Sequence, residues 1–230
     1  MNASRLGCIV LLFGALSIPA IAADTESQAP DIEKSCLTYD GRYEVAPMRQ
    51  VKPAKGESRV YLQKAATACP ASGECSQRQK AFLVEGDQVF VSKEKGGFRC
   101  AYYGTASGKL IAGFLPEDSL APIREETLLT SGFLEGDWLD SGDEVHFKAA
   151  ANGKVHASGS ATWQGLNTVN EGEFDAESTV SGSLAAFHDD GCEVTVRRRG
   201  NYLLLDDNSQ CGGMNVRFHD IYVRRKTKSK

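Results

Sequence analysis

Four histidines, at positions 146, 156, 188 and 219, all fall in the second half of this 230-residue chain. Histidine is the side chain best suited to proton transfer near neutrality and to metal ligation, so its placement bears on catalysis. His146 and His156 flank Asn152-Gly153, a strong hairpin signal. A hairpin centred between 152 and 153 pairs residues whose numbers sum to about 305, which sets His146 opposite 159 and His156 opposite 149. The two imidazoles then do not face each other. His188 precedes Asp189-Asp190, a carboxylate pair able to hold a hydrated cation, although a solvated bend is its ordinary use. No serine nucleophile elbow, metalloprotease helix signature or phosphate loop is present. EGDWLD and SGDE offer carboxylates, as many surfaces do, and a glycosidase pair needs a defined cleft that sequence does not display. The chain reads as non-catalytic, with no metal and no cofactor.

The stretch DNSQCGGMN (207–215) combines oxygen donors, a cysteine and two glycines, so it reads as an ion cradle or as a stapled turn. Strands CEVTVRR and NYLLLD flank Arg199-Gly200-Asn201. Centring a hairpin near Gly200 pairs residues summing to about 400, which puts Cys192 opposite Asn208 and near Cys211. A disulfide needs Cα atoms within about 7 Å, and a folded-back loop meets that. Such a closure contributes roughly 3 kcal/mol in the chain-entropy picture. Asp206, Asp207 and Asn208 supply too few oxygens for calcium, so the staple is favoured. Gly212-Gly213 turns the chain into a final strand. There Val216 and Phe218 share one face and Ile221 and Val223 share one, and the odd spacing between the pairs predicts a bulge at His219-Asp220.

Residues 1–23, MNASRLGCIVLLFGALSIPAIAA, have the layout of a cleaved secretory signal: Arg5, an apolar run, then Ala20-Ile21-Ala22. Removing them leaves about 207 residues and six cysteines: Cys36, Cys69, Cys75, Cys100, Cys192 and Cys211. An even number in an oxidising compartment reads as three disulfides, and the expected location is the periplasm. No later segment is apolar for long enough to span a bilayer, so no transmembrane segment is expected in the mature chain. The net charge of −4 argues against nucleic acid as a partner. The basic run RRKTKSK reads as a solvated end, or as a foot on an anionic envelope surface, with 227–230 beyond the last strand.

Positioning elements are β throughout. Residues 24–58 read as an extended arm with one short strand at GRYEV. From Arg59 the chain alternates in short runs, RVYLQ, AFLVEGDQVFVS, GFRCAYYG and LIAGFL, separated by Gly-containing turns, which predicts a small barrel over 59–122. A linker follows at 123–131. Residues 132–226 again read as short strands with Gly and Asn turns, predicting an antiparallel β-barrel or sandwich.

FLVEGDQVFVSKEKGGFRCAYYG followed by AGFLPEDSL resembles the bacterial SH3-like (SH3b) domain in its order of strands, Gly-Asp turn, Gly-Gly turn, one-turn helix and closing strand. The resemblance covers about a quarter of the chain. It implies recognition of a cell-wall peptide or envelope protein by aromatics beside the early loop, here Tyr61, Tyr102, Tyr103 and Phe114. Aromatics on alternating strands ordinarily pack inward, so Phe114 and one tyrosine are equally suited to the core. The early loop carries CPASGEC (69–75), read as a Cys69–Cys75 staple, with Cys36 and Cys100 then pairing; connectivity itself is not readable from sequence.

Gly136-Asp137-Trp138 at the start of the second half and Tyr222-Val223-Arg224 at its end resemble lipocalin-like barrels, where an early Trp and a late Arg meet. The segment from CEVTVRRRGNYLLLDD to YVRR also resembles a C-terminal module of exported bacterial proteins, which implies no activity. The expected function is a non-catalytic binding protein of the cell envelope, whose SH3-like module takes a cell-wall or protein ligand. Alternatives are an inhibitor or immunity protein against a cell-wall hydrolase, with loops 164–173 and 207–215 as contacts, and a carrier of a small apolar ligand, which needs a hollow barrel.

Overall fold

The computed structural model describes Cys36, residues 46–67 and residues 76–226. The expected leader, the GRYEV strand, the Cys69 and Cys75 pair and the tail 227–230 lie outside the described residues. The chain is all-β, and its strands form two antiparallel sheets.

The first sheet holds β1 (Met48–Val51), β2 (Val60–Gln63), β3 (Arg78–Leu83), β4 (Gln88–Val91), β5 (Phe98–Gly104), β6 (Leu110–Pro116) and β7 (Leu120–Pro122) in the order β3-β2-β6-β5-β4-β1-β7. A one-turn 3-10 segment, Glu117–Ser119, separates β6 from β7. The sheet begins earlier than Arg59: β1 pairs with both β4 and β7, so part of the expected arm is a structural strand. Period-two alternation gives the sheet two buried faces. Val51, Leu62, Leu83, Val89, Val91 and Leu115 pack on one side. Phe90, Phe98, Cys100, Tyr102 and Phe114 point to the other, where they meet the second sheet.

The second sheet is a meander of β8 (Gly136–Leu139), β9 (Glu144–Ala149), β10 (Lys154–Gln164), β11 (Val169–Thr179), β12 (Leu184–Asp189), β13 (Cys192–Arg199), β14 (Tyr202–Asp207) and β15 (Asp220–Arg224). β15 returns to pair with β8, and the outer strands β11 and β12 lie against each other without a ladder, so the sheet is nearly a barrel. One side-chain bond crosses that seam, from the Asp175 N–H to Asp189 Oδ2 at 2.8 Å. The interior is filled by Trp138, Phe147, Phe174, Phe187, Phe218 and Tyr222. These large side chains converge on the barrel interior, the place a carrier's apolar ligand would occupy.

A single helical turn, α1 (Ser131–Leu134), caps one end, with the Phe133 N–H donating to Thr130 Oγ1 at 3.1 Å. Trp138 Nε1 donates to the Leu134 carbonyl at 2.6 Å, which satisfies the one polar atom of a fully buried indole. The expected linker is not free chain. Glu125 pairs with Arg199, the Glu126 carbonyl accepts from Gly200 N at 2.9 Å, and Leu129 is buried in the barrel core.

Both hairpin registers differ from the expected ones by a single residue. His146 lies opposite Ser158 and His156 opposite Lys148, because the β9–β10 loop is Ala151–Gly153, three residues centred on Asn152 (φ 57°). The β13–β14 loop is Gly200-Asn201, so Arg199 pairs with Tyr202, and Asn208 falls opposite Glu193 rather than Cys192. The β14–β15 ladder begins at Asp220, so the expected bulge at His219-Asp220 falls at its edge, and the four pairs from Asp220 to Val223 run without a register shift. Val216, Phe218 and Tyr222 enter the barrel core, whereas Ile221 and Val223 face the first sheet. The odd spacing marks a strand buried on both sides.

Tyr202, Leu204, Ile221 and Val223 therefore join Met48, Phe90, Phe98, Tyr102 and Phe114 in one apolar cluster shared by both sheets. Fully burying a side chain of this size contributes about 1.5–3 kcal/mol. The Cys36–Cys100 disulfide, Cα–Cα 5.5 Å, ties the N-terminal chain into the same cluster. Gly104 allows the close approach: a Cβ there would lie 2.5 Å from Val223 Cγ1 and 2.9 Å from Tyr202 Cε1.

Candidate binding cleft between the two sheets

At the edge of the shared cluster the sheets diverge and leave a cleft of about 580 Å³. One wall comes from the β3–β4 turn and the end of β5: Gly86, Asp87, Gln88, Tyr103 and Gly104. The other comes from Phe133, Asn201, Tyr202 and the run Val223 to Lys226. Alternation explains the aromatic placement. Tyr102 faces the shared cluster, so its neighbour Tyr103 falls on the opposite face, where it packs beside the Val51–Leu115 cluster while still lining the cleft at the sheet's edge.

The first wall is fixed by hydrogen bonds. Tyr103 Oη donates to Asp87 Oδ1 at 3.2 Å, and Asp87 Oδ2 accepts from the Val84 N–H at 2.9 Å. Burial, then the Asp87 charge and its hydrogen bond, push the Tyr103 hydroxyl up to about 12. Tyr202 Oη donates to the Gln88 carbonyl at 2.6 Å and Asn201 N donates to Gln88 Oε1 at 3.0 Å, bonds that span the two sheets. Burial raises the Tyr202 hydroxyl further still, so both phenols stay protonated.

The second wall is basic and equally held. The Arg224 guanidinium lies 4.5 Å from the Trp138 ring centre and 5.4 Å from that of Phe133, and donates to the carbonyls of Glu135 and Phe133. Burial lowers its pKa and neighbouring Arg198 adds to the shift, while Glu135 opposes it. The Trp138–Arg224 contact implied by the Gly-x-Trp start is thus present. Arg225 Nη2 reaches Glu144 Oε2 at 2.8 Å and its backbone N–H donates to the Asp137 carbonyl at 2.9 Å. The beginning of the basic run is therefore part of the fold rather than a solvated end.

The four aromatics singled out in the sequence are split up. Tyr102 and Phe114 are buried in the shared cluster and present no surface. Tyr61 stands half-buried on β2, 5.8 Å from Phe82, with Arg78 over its ring at 5.0 Å. Tyr103 alone reaches the cleft. Asp87, Asn201, Tyr202 and Phe133 were missed, because nothing local links three segments so far apart in the chain. The Gly86-Asp87 turn and the Arg224 to Lys226 run were visible only as a turn and a charge run.

The loop 207–215 is a staple. Cys192 and Cys211 are bonded with Cα–Cα 4.5 Å. Asp207 accepts from Ser209 N at 2.6 Å and from Phe218 N, and Asn208 Oδ1 accepts from Glu193 N and Gln210 N at 3.1 Å each. These oxygens hold backbone N–H groups of the loop and of the segments beside it. The loop also docks on β11: Gly213 N donates to the Glu171 carbonyl at 3.1 Å and Asn170 Nδ2 to the Met214 carbonyl at 2.6 Å.

The histidines are dispersed over the barrel's outer wall, each beside a carboxylate: His146 with Asp137, His156 with Asp175, His188 with Glu193 and His219 with Asp206. Among the described residues, no three His, Cys, Asp or Glu side chains are grouped to hold a metal ion. Comparison of the chain with family models, with curated proteins and with solved structures finds no match.

Proposed function

We propose that the protein is a non-catalytic, exported binding protein of the bacterial cell envelope, acting in the periplasm, whose ligand seats between an SH3-like module (β1–β7) and a lipocalin-like barrel (β8–β15). The observation that carries this reading is the cleft itself: both sheets supply its walls, and the shared apolar cluster holds those walls in one geometry. Preorganised walls reduce the entropic cost of binding. The SH3-like assignment is supported by the one-turn helix before β7 and by the pairing of β7 with β1. The lipocalin-like one is supported by the eight-strand meander and by Arg224 over Trp138. A full interior favours the cleft over the barrel as the binding place. Sedimentation with purified sacculi tests the reading: the protein is expected to pellet, and a cleft variant, Tyr103→Ala, to pellet less. Protein left wholly in the supernatant would overturn the cell-wall version.

One observation favours the inhibitor reading as a second function. The loops 164–173 and 207–215 touch, and their tip carries fully exposed Leu166 with Met214 and Val169 at 79 % and 56 % exposure. Exposed apolar side chains on a disulfide-braced tip suit insertion into an enzyme cleft. Pull-down of one cell-wall hydrolase, lost in the Leu166→Asp variant, is the expected result. Retention of that hydrolase by the variant removes the tip from the contact.

A further inference from the structure

We propose that the cleft between the two sheets takes a zwitterionic ligand of amino-acid or short-peptide size, with its ammonium group at Asp87 and its carboxylate at Arg224 and Lys226. This rests on the cleft being the binding site and adds the chemistry of what fills it.

The walls carry opposite charge. On the first, the Asp87 carboxylate has spent one lone pair of each oxygen, on the Tyr103 hydroxyl and on the Val84 N–H. A carboxylate oxygen accepts more than one hydrogen bond, so a ligand ammonium finds two fixed acceptors there. On the second wall, Arg224 is locked by its two carbonyl partners and by the Trp138 ring, and exposed Lys226 follows at the rim. A guanidinium held in this way presents its remaining N–H groups without further loss of rotamer freedom. The Asn201 side chain adds an amide at the same wall.

The space between the charges is of mixed character, with three aromatic rings among polar groups. Tyr103, Phe133 and Val223 line it, and Gly104 contributes no side chain. A cleft of about 580 Å³ lies within the range that encloses a small organic ligand. A purely anionic ligand would meet Asp87, and a purely cationic one would meet Arg224 and Lys226. A molecule bearing both charges at its two ends avoids both conflicts, and the aromatic lining covers its body.

Isothermal titration calorimetry of the full chain with trialanine tests this, alongside N-acetyl-trialanine and trialanine amide. Trialanine is expected to bind, with each capped form weaker by about tenfold or more, the equivalent of losing one charged contact. Asp87→Asn is expected to abolish the discrimination against the acetylated peptide alone, and Lys226→Gln to reduce that against the amide alone. Equal binding of all three peptides, or no binding of trialanine, overturns the proposal. Protein that pellets with sacculi but ignores trialanine refutes the ligand assignment while sparing the envelope-binding function; trialanine binding without pelleting does the reverse.

Discussion

Tyr202 of β14 donates its phenolic hydrogen to the Gln88 carbonyl of β4 at 2.6 Å, and its ring lies 5.2 Å from that of Phe90. One residue of the barrel thus joins the first sheet by both a hydrogen bond and an aromatic contact. Tyr202→Phe keeps the ring and strands a carbonyl. It is expected to cost about 1–2 kcal/mol in urea unfolding, with a single transition retained. Two separate transitions in the wild type would show that the sheets do not unfold as a unit.

Gly104 is a point of close approach between the sheets at the cleft. Gly104→Ala pushes a methyl group into Val223 and Tyr202, and overpacking of this kind costs about 1–3 kcal/mol. Because the strain falls at the mouth of the cleft, ligand binding is expected to weaken in step with stability. Thermal melts with and without ligand check both; an unchanged melt would mean that Val223 simply moves aside.

Cys192 and Cys211 are 19 positions apart and close the corner between β14 and β15. The Cys192→Ser, Cys211→Ser double variant is expected to lose about 3 kcal/mol. The loop also bonds to β11, so amide exchange should speed up at Glu171 to Glu173 as well as in the loop. Protection confined to its wild-type pattern would show that the β11 contacts hold the loop unaided.

Asp220 sits at the start of β15, where burial first, then the Asp140 charge, raises its carboxyl from 3.8 to about 6, against the Ile221 N–H and His219. The folded state therefore holds this proton more tightly than the unfolded chain. Its stabilising contribution is complete below about pH 4 and is lost as pH rises through about 6. Asp220→Asn retains the oxygen that accepts from Ile221 N. The variant should match the wild type near pH 4 and exceed it by about 1–2 kcal/mol near pH 7.5. Parallel pH dependences for the two proteins would remove Asp220 as the cause.

Strand content, glycine turns and the Cys192–Cys211 pair were legible because each follows from local chemistry: alternation, positive φ and loop length. Register was not. At Asn152 the sequence allows a two- or a three-residue loop, and one residue of difference shifts both His146 and His156. The largest misreading came at β15. Val216 and Phe218 against Ile221 and Val223 looked like a broken face, since a short segment cannot reveal that a second apolar wall covers its outer side. The cleft failed to show for the same reason. Asp87 and Arg224 are ordinary surface residues until the fold brings the β3–β4 turn and the end of β15 together.

That doubly buried strand also bears on how the molecule is made. β15 both closes the barrel against β8 and supplies Ile221 and Val223 to the first sheet, and every other strand among the described residues precedes it. A ribosome must therefore read through to Arg224 before either structure can be completed. Until then the nascent chain has a barrel missing a stave and a first sheet missing half its backing. A chain whose closing strand is made last cannot bury either surface fully until synthesis is nearly complete.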